Sequence, residues 1–193
     1  MRYIFIAIAI IFMGCSGTQK SIDEYTILAN SYISNDTKKA TKSLSVATIK
    51  TTPSLMSKDL IYLYSSGEVG SYAYSRWSDS PTMMLERILM QKLQQSQIYS
   101  YITPSASISS ADYILESNLD RFSHLIEGKN SFGVIKIELR VIDISQKRVI
   151  SQKEFDIKIP SKSIDAKGAI EALQRGSNEL GDEIIEWLKD INE

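Results

Sequence analysis

The residues with the sharpest chemistry in this chain of 193 are its single cysteine, Cys15, and its single histidine, His124. A cysteine thiolate is a nucleophile that can accept an alkyl or acyl group, and the small Gly14 before it would let a peptidase reach the bond between them. His124 could act as a general base, but only with a nucleophile to deprotonate and a carboxylate to orient it. Asp120, four residues away, is expected on the same strand face but about 13 Å distant, too far for that role. Asp112, Glu116 and Asp120 would share one face of a strand. Paired carboxylates can do acid–base work, but a solvated strand face looks the same and is the favoured reading. There is no G-x-S-x-G, P-loop or G-x-G-x-x-G run. One cysteine and one histidine exclude a disulfide framework, a multi-cysteine metal site and an HExxH zinc site. With 22 basic and 23 acidic residues, the chain lacks the basic field that general nucleic-acid binding relies on. These residues predict no enzyme, no metal and no nucleic-acid partner.

Cys15 is positioned by what precedes it. Met1-Arg2 leads into an uncharged apolar run, Tyr3 to Met13, that ends at Gly14-Cys15. The run is too short to cross about 30 Å of hydrocarbon as a helix and has the pattern of a secretory signal. The box Phe12-Met13-Gly14-Cys15 resembles a bacterial lipoprotein cleavage site. Its last two residues fit and its first two are looser. The expectation is cleavage between Gly14 and Cys15 and a diacylglyceryl group on Cys15; the plainer reading is a small apolar residue in a signal or anchor helix. Two or three acyl chains would attach the protein to a membrane in effect permanently. Ser16 after the cysteine, by the enteric sorting rule, favours the outer membrane. Domain boundaries follow: 1–14 signal peptide, 15–22 lipidated tether, 23–193 one periplasm-facing domain.

Within that domain, Asp23 to Ala29 reads as a first strand and Asn30 to Lys42 as a loop. Leu44 to Lys50 and Leu60 to Tyr64 read as further strands. Ser80 with Pro81 opens a helix to about Gln97, striped by Met84, Leu85, Ile88, Leu89 and Leu93, with Lys92 mainly off the stripe. Tyr113–Leu125 reads as a strand with weak alternation, Phe132–Asp143 alternates sharply, and Val149–Ile159 places Val149, Phe155, Ile157 and Ile159 on one face. They predict an antiparallel meander with one wet face. Asp165 to about Ile191 predicts a long helix along the inner sheet face, with Gly176 and Gly181 at the border of its stripe. The fold class is α+β: an antiparallel, partly meander sheet with two main helices packed on one face. Tyrosines pair at i, i+2 (Tyr62 and Tyr64, Tyr72 and Tyr74, Tyr99 and Tyr101). They could line a lipid- or partner-facing surface, although sheet packing is the favoured reading. Met83-Met84 has the same two readings.

The run Arg76-Trp77-Ser78-Asp79-Ser80-Pro81 resembles the ABC-type transport auxiliary lipoproteins, which include the PqiC-type proteins. There a strand ends in a basic residue and Trp, and Asp and Pro open an apolar helix. Pro53-Ser54-Leu55, Leu60-Ile61-Tyr62, Ser71-Tyr72-Ala73-Tyr74, Ala111-Asp112-Tyr113-Ile114-Leu115 and Ile184-Ile185-Glu186-Trp187-Leu188 agree with it, over roughly residues 23 to 190. Ser80 departs from the pattern. The resemblance implies an envelope lipoprotein working beside a permease, an ATPase and an MCE-domain protein that moves lipids or other hydrophobic molecules. Arg76, Trp77, Asp79 and Pro81 would form a partner-binding or structural motif, with Trp77 either a core anchor or part of a contact surface. Accessory parts of ring transporters often match the ring's symmetry, so a homo-oligomer is compatible with this reading. The alternative is an independent lipid-binding or structural envelope lipoprotein.

Overall fold

Long alternating sequences build the centre of the computed structural model, which describes residues 21–33, 40–105, 107 and 110–192. The strands are β1 (Asp23–Tyr25), β2 (Ser43–Val46), β3 (Lys50–Thr51), β4 (Asp59–Tyr64), β5 (Val69–Trp77), β6 (Tyr101–Pro104), β7 (Tyr113–Glu127), β8 (Asn130–Asp143) and β9 (Arg148–Pro160). The helices are α1 (Pro81–Ser96) and α2 (Ala166–Asn192). β7, β8 and β9 form the antiparallel meander that the alternation predicts. What the sequence does not announce is how the short strands join it. β2, β3 and β4 line up one after another along the other side of β7, all parallel to it. β6 adds parallel to β2, β5 antiparallel to β4, and β1 parallel to β5. β7, about 50 Å long, is thus the spine of one mixed sheet.

Both helices lie on one face of this sheet. Leu115, Leu119, Phe122, Ile135, Ile137, Leu139, Val141, Phe155 and Ile157 point inward and are buried. α2 lays Ala169, Leu173, Leu180, Ile184 and Leu188 against them. Gly133 lets α2 approach: a Cβ there would stand 2.8 Å from the Leu173 nitrogen and 2.9 Å from the Ala172 carbonyl carbon. α1 completes the layer with Met84, Leu85, Ile88, Leu89 and Leu93. On the opposite face the middle of the meander is ion-paired, with Lys136–Glu154 at 3.0 Å and Gln152 donating to Glu138 at 2.9 Å, while toward the β7–β8 turn it carries Leu125, Phe132 and Val134, the last buried.

Four expectations change. The first strand ends at Tyr25; beyond it the chain crosses both helices as a strap, pinned by Asn30 N–H to Asn178 Oδ1 (2.7 Å) and Tyr32 N–H to Gln95 Oε1 (2.8 Å). Polar helix residues satisfy its backbone, so it needs no strand partner. Leu44 to Lys50 is two short strands, β2 and β3. Val149 does not share a face with Phe155: the register shifts between Val141 and Ile142, and Val149 is 50% exposed. Lys92 is not on a wet face. It is fully buried between the helices, its stem against Gly181 and its ammonium 2.5 Å from Asp182 Oδ1.

Candidate functional site

The 76–81 run ties three elements together. Its β5 end pairs with β1, Tyr25 beside Trp77, and Ser78 N–H donates to the Tyr25 carbonyl at 2.7 Å. Trp77 is 1% exposed and meets Phe122 edge-on, ring centres 5.7 Å apart. Arg76 points away from the core and grips Glu24, its Nε 2.9 Å from Oε1. Asp79 accepts from Arg87 Nη1 at 3.0 Å, and the other Arg87 nitrogen reaches Thr26 Oγ1. Pro81 is buried at the first turn of α1. Ser80 occupies the N-cap position, but its hydroxyl pairs with Thr82 Oγ1 at 3.0 Å rather than with the helix backbone. Trp77 is therefore a core side chain, while Arg76 and Asp79 are surface pins that hold β1 and α1 around it.

His124 and Asp120 are not on one strand face. The β7–β8 register shifts between Leu119 and Arg121. Before the shift Leu115, Ser117 and Leu119 are buried; after it Phe122, His124 and Ile126 are. One inserted residue turns Asp120 to solvent and His124 to the interior. His124 Nδ1 and the Tyr72 hydroxyl share a hydrogen bond of 2.7 Å, and Nε2 is buried without a partner. Burial holds the His124 pKa below its ordinary value and pushes Tyr72 up to about 12. The hydroxyl beside this imidazole is therefore that of a tyrosine held in its neutral form, and no carboxylate hydrogen-bonds the other ring nitrogen to orient it.

The three carboxylates are also separated. Asp112 accepts from the Ser43 hydroxyl (2.6 Å) and backbone N–H (2.9 Å) and pairs with Lys42, bonds that hold its pKa below the usual range. Glu116 faces Lys50, and Asp120 accepts from Asn118. Each has its own partner, so they form no acid–base pair. Among the described residues, no group of three His, Cys, Asp or Glu comes together that could hold a metal ion. No helix among them is long and apolar enough to cross a membrane. Gly14 and Cys15 lie outside the described residues.

The tyrosines gather at the β4–β5 hairpin. Tyr62 meets Tyr64 and Tyr72 edge-on, ring centres 5.6 and 5.2 Å apart. Gly70 is the cross-strand partner of Tyr62 and lies under its ring, where a Cβ would collide with the phenol. Tyr72 continues the row to His124. A large bulge sets Tyr72 to Ser75 opposite Leu60, so Tyr74 turns outward while Tyr72 is half-buried. Tyr99 is buried and Tyr101 exposed, so that pair shares no surface. Met84 is in the core; Met83 is exposed beside a surface groove of about 590 Å³ that Val46, Met90, Arg87 and Pro104 also line. A second cleft, of about 870 Å³, runs along α2 between Glu179, Asp182, Glu183 and Lys153.

This is an α+β domain in which the 76–81 run packs β1, β5 and α1 together around Trp77. The chain belongs to the ABC-type transport auxiliary lipoprotein component family, whose model matches residues 25–185. Among solved structures it is similar to a protein from Xanthomonas campestris, 20% identical, with a TM-score of 0.79 over 86% of this chain and 94% of that one. An uncharacterised protein, 14% identical, reaches a TM-score of 0.67 over 87% and 99%. A hypothetical protein from Chlamydia trachomatis, 15% identical, reaches 0.51 over 77% and 96%. No curated protein matches the chain in sequence. The role is therefore that of an auxiliary component of ABC-type transport in the cell envelope.

Proposed function

We propose that this chain is anchored by acyl chains on Cys15, faces the periplasm from the outer membrane, and docks an ABC transporter to its working position. The partners are a permease, an ATPase and an MCE-domain protein that carries lipids or other hydrophobic molecules. Membership of the auxiliary lipoprotein family carries this reading. The ion-paired middle of the outer sheet face supports it: Lys136, Glu138, Arg140 and Glu154 present ordered charges that a partner could read. An independent lipid carrier would need room for an acyl chain, and the void between the two helices does not give it. The apolar void where α1, α2 and Ile137 meet is about 10 Å³, barely room for one water and none for an acyl chain.

Complementation tests the reading. A host lacking this chain is expected to become sensitive to detergents and hydrophobic compounds, and wild type to restore it. The Cys15→Ala variant is expected to fail, because docking needs the anchor. Full rescue by Cys15→Ala, or no change in the deletion strain, would count against anchored docking.

A further inference from the structure

The start of the described chain indicates which end of the domain meets the membrane. β1 runs parallel to β5, with Asp23 level with Ser75. β5 runs away from the β4–β5 turn, so the chain upstream of Asp23 heads back toward that turn. Cys15 lies six residues before Ser21, a distance of at most about 20 Å. From Leu60, opposite the bulged Ser75, strand β4 needs only four residues to reach Tyr64, about 13 Å. Counted from Asp23, Cys15 is eight residues away, at most about 27 Å, which exceeds the run of β4 to its turn by about 14 Å. A lipid on Cys15 would leave the turn within roughly 10–15 Å of the bilayer at full stretch.

Two further loops share this end. β4 and β7 run parallel, Tyr64 beside Ile126, so the β7–β8 turn at Gly128 lies with the β4–β5 turn. β9 ends here too, with Pro160 beside Phe132, and leads into the Lys162–Asp165 loop. The surface they make is apolar at its prominences: Tyr64 is 40% exposed, Val69 68% and Ile164 47%. Charge here is mixed. Glu127 is matched by Lys158 at 3.1 Å and Lys162 by Glu171 at 3.3 Å. Glu68 and Lys129 are exposed as well. Apolar and aromatic contact, rather than net charge, therefore decides what this surface binds. A tyrosine with an apolar ring and a polar tip suits the boundary between headgroups and acyl chains. Tyr64 is also held ready, braced on Tyr62, which is braced on Tyr72 and through it on His124.

We infer that the β4–β5 turn, with Tyr64 and Val69 and the neighbouring Ile164, is a membrane-contact tip seated in the interfacial layer of the bilayer that holds the anchor. The strands then stand upright, and the β8–β9 turn at Ile144 is carried about 50 Å from the surface. This rests on acylation of Cys15.

The test uses the acylated full-length protein in phosphatidylcholine vesicles with brominated acyl chains. Tryptophan is placed at the tip (Tyr64→Trp, and separately the more exposed Val69→Trp) or at the far end (Ile144→Trp). Trp77 and Trp187 are buried and give a constant background. The tip variants are expected to shift to the blue and be quenched severalfold more than Ile144→Trp. Equal quenching at both ends, or stronger quenching at Ile144, would overturn the inference. Flotation of wild type against Cys15→Ala separates the premises. If wild type does not float, the anchor reading falls and the tip contact falls with it. If it floats but neither tip variant is quenched, the tip contact alone falls.

Discussion

Replacing Trp77 with alanine should unfold the protein more readily without touching its outer surface. The indole is 1% exposed and packs edge-on against Phe122. Removing a buried aromatic of this size costs about 3–5 kcal/mol, the lost transfer energy plus the cavity left behind. For a domain of this length each kcal/mol moves Tm by about 2–4 °C, so the expected fall is about 6–20 °C. Trp77→Phe should recover part of it, because a ring still meets Phe122. Arg76→Ala is the contrast: its pair with Glu24 is about half exposed on both sides, and such pairs contribute about 0–1 kcal/mol. Thermal melts of the three variants by circular dichroism read this directly. A Trp77→Ala protein that melts within 2–3 °C of wild type yet loses its partners would refute the core assignment.

Acidification should weaken the fold through His124. Burial holds its pKa below the ordinary 6.5, so the unfolded chain binds the proton more readily. The stabilising effect is present in full above about pH 6.5 and is lost as pH falls below it. Tyr72 and Asp165 are the groups that face it, and Asp112, Asp143, Asp165 and Glu186, all held low, lose theirs only in more acidic solution. With one histidine in the chain, wild type should lose more Tm between pH 7.5 and 5.5 than His124→Gln; equal losses would contradict the burial argument. Asp182→Ala strands the buried Lys92 ammonium and should cost about 1–3 kcal/mol in urea unfolding. Lys92→Met should cost less, since the charge it leaves behind on Asp182 is about half exposed; the reverse order would sink the argument. Gly133→Ala should cost about 1–3 kcal/mol, because the new Cβ meets the α2 backbone rather than a side chain that can move. An unchanged unfolding midpoint would show that α2 can shift freely.

The two helices and the meander were legible because their periods are strong: Met84 to Leu93 recur at helical spacing, and Ile135, Ile137, Leu139 and Val141 alternate strictly. The bulges at Asp120 and near Val149 were not. A single inserted residue has no local signature, yet it reverses every face that follows, which is why Asp120 and His124 part company. Parallel pairing of β2, β3 and β4 along β7 joins segments more than sixty residues apart, beyond the reach of local pattern. Lys92 reads as surface by its charge; the clue was Gly181, a glycine bordering an apolar stripe that makes room for the lysine stem. In the 76–81 run, residue types announced a strand end and a helix start. They could not reveal that Trp77 packs inward against Phe122 while Arg76 reaches Glu24.

Docking of a transporter is the role proposed for this auxiliary lipoprotein. It is tested most directly by purifying the full-length protein from its native envelope in mild detergent and identifying every co-purifying protein and lipid by mass spectrometry. A permease, an ATPase and an MCE-domain protein are expected to co-purify, without stoichiometric lipid in the domain itself. Recovery of the lipoprotein alone would contradict docking, and bound lipid in that case would mark an independent carrier.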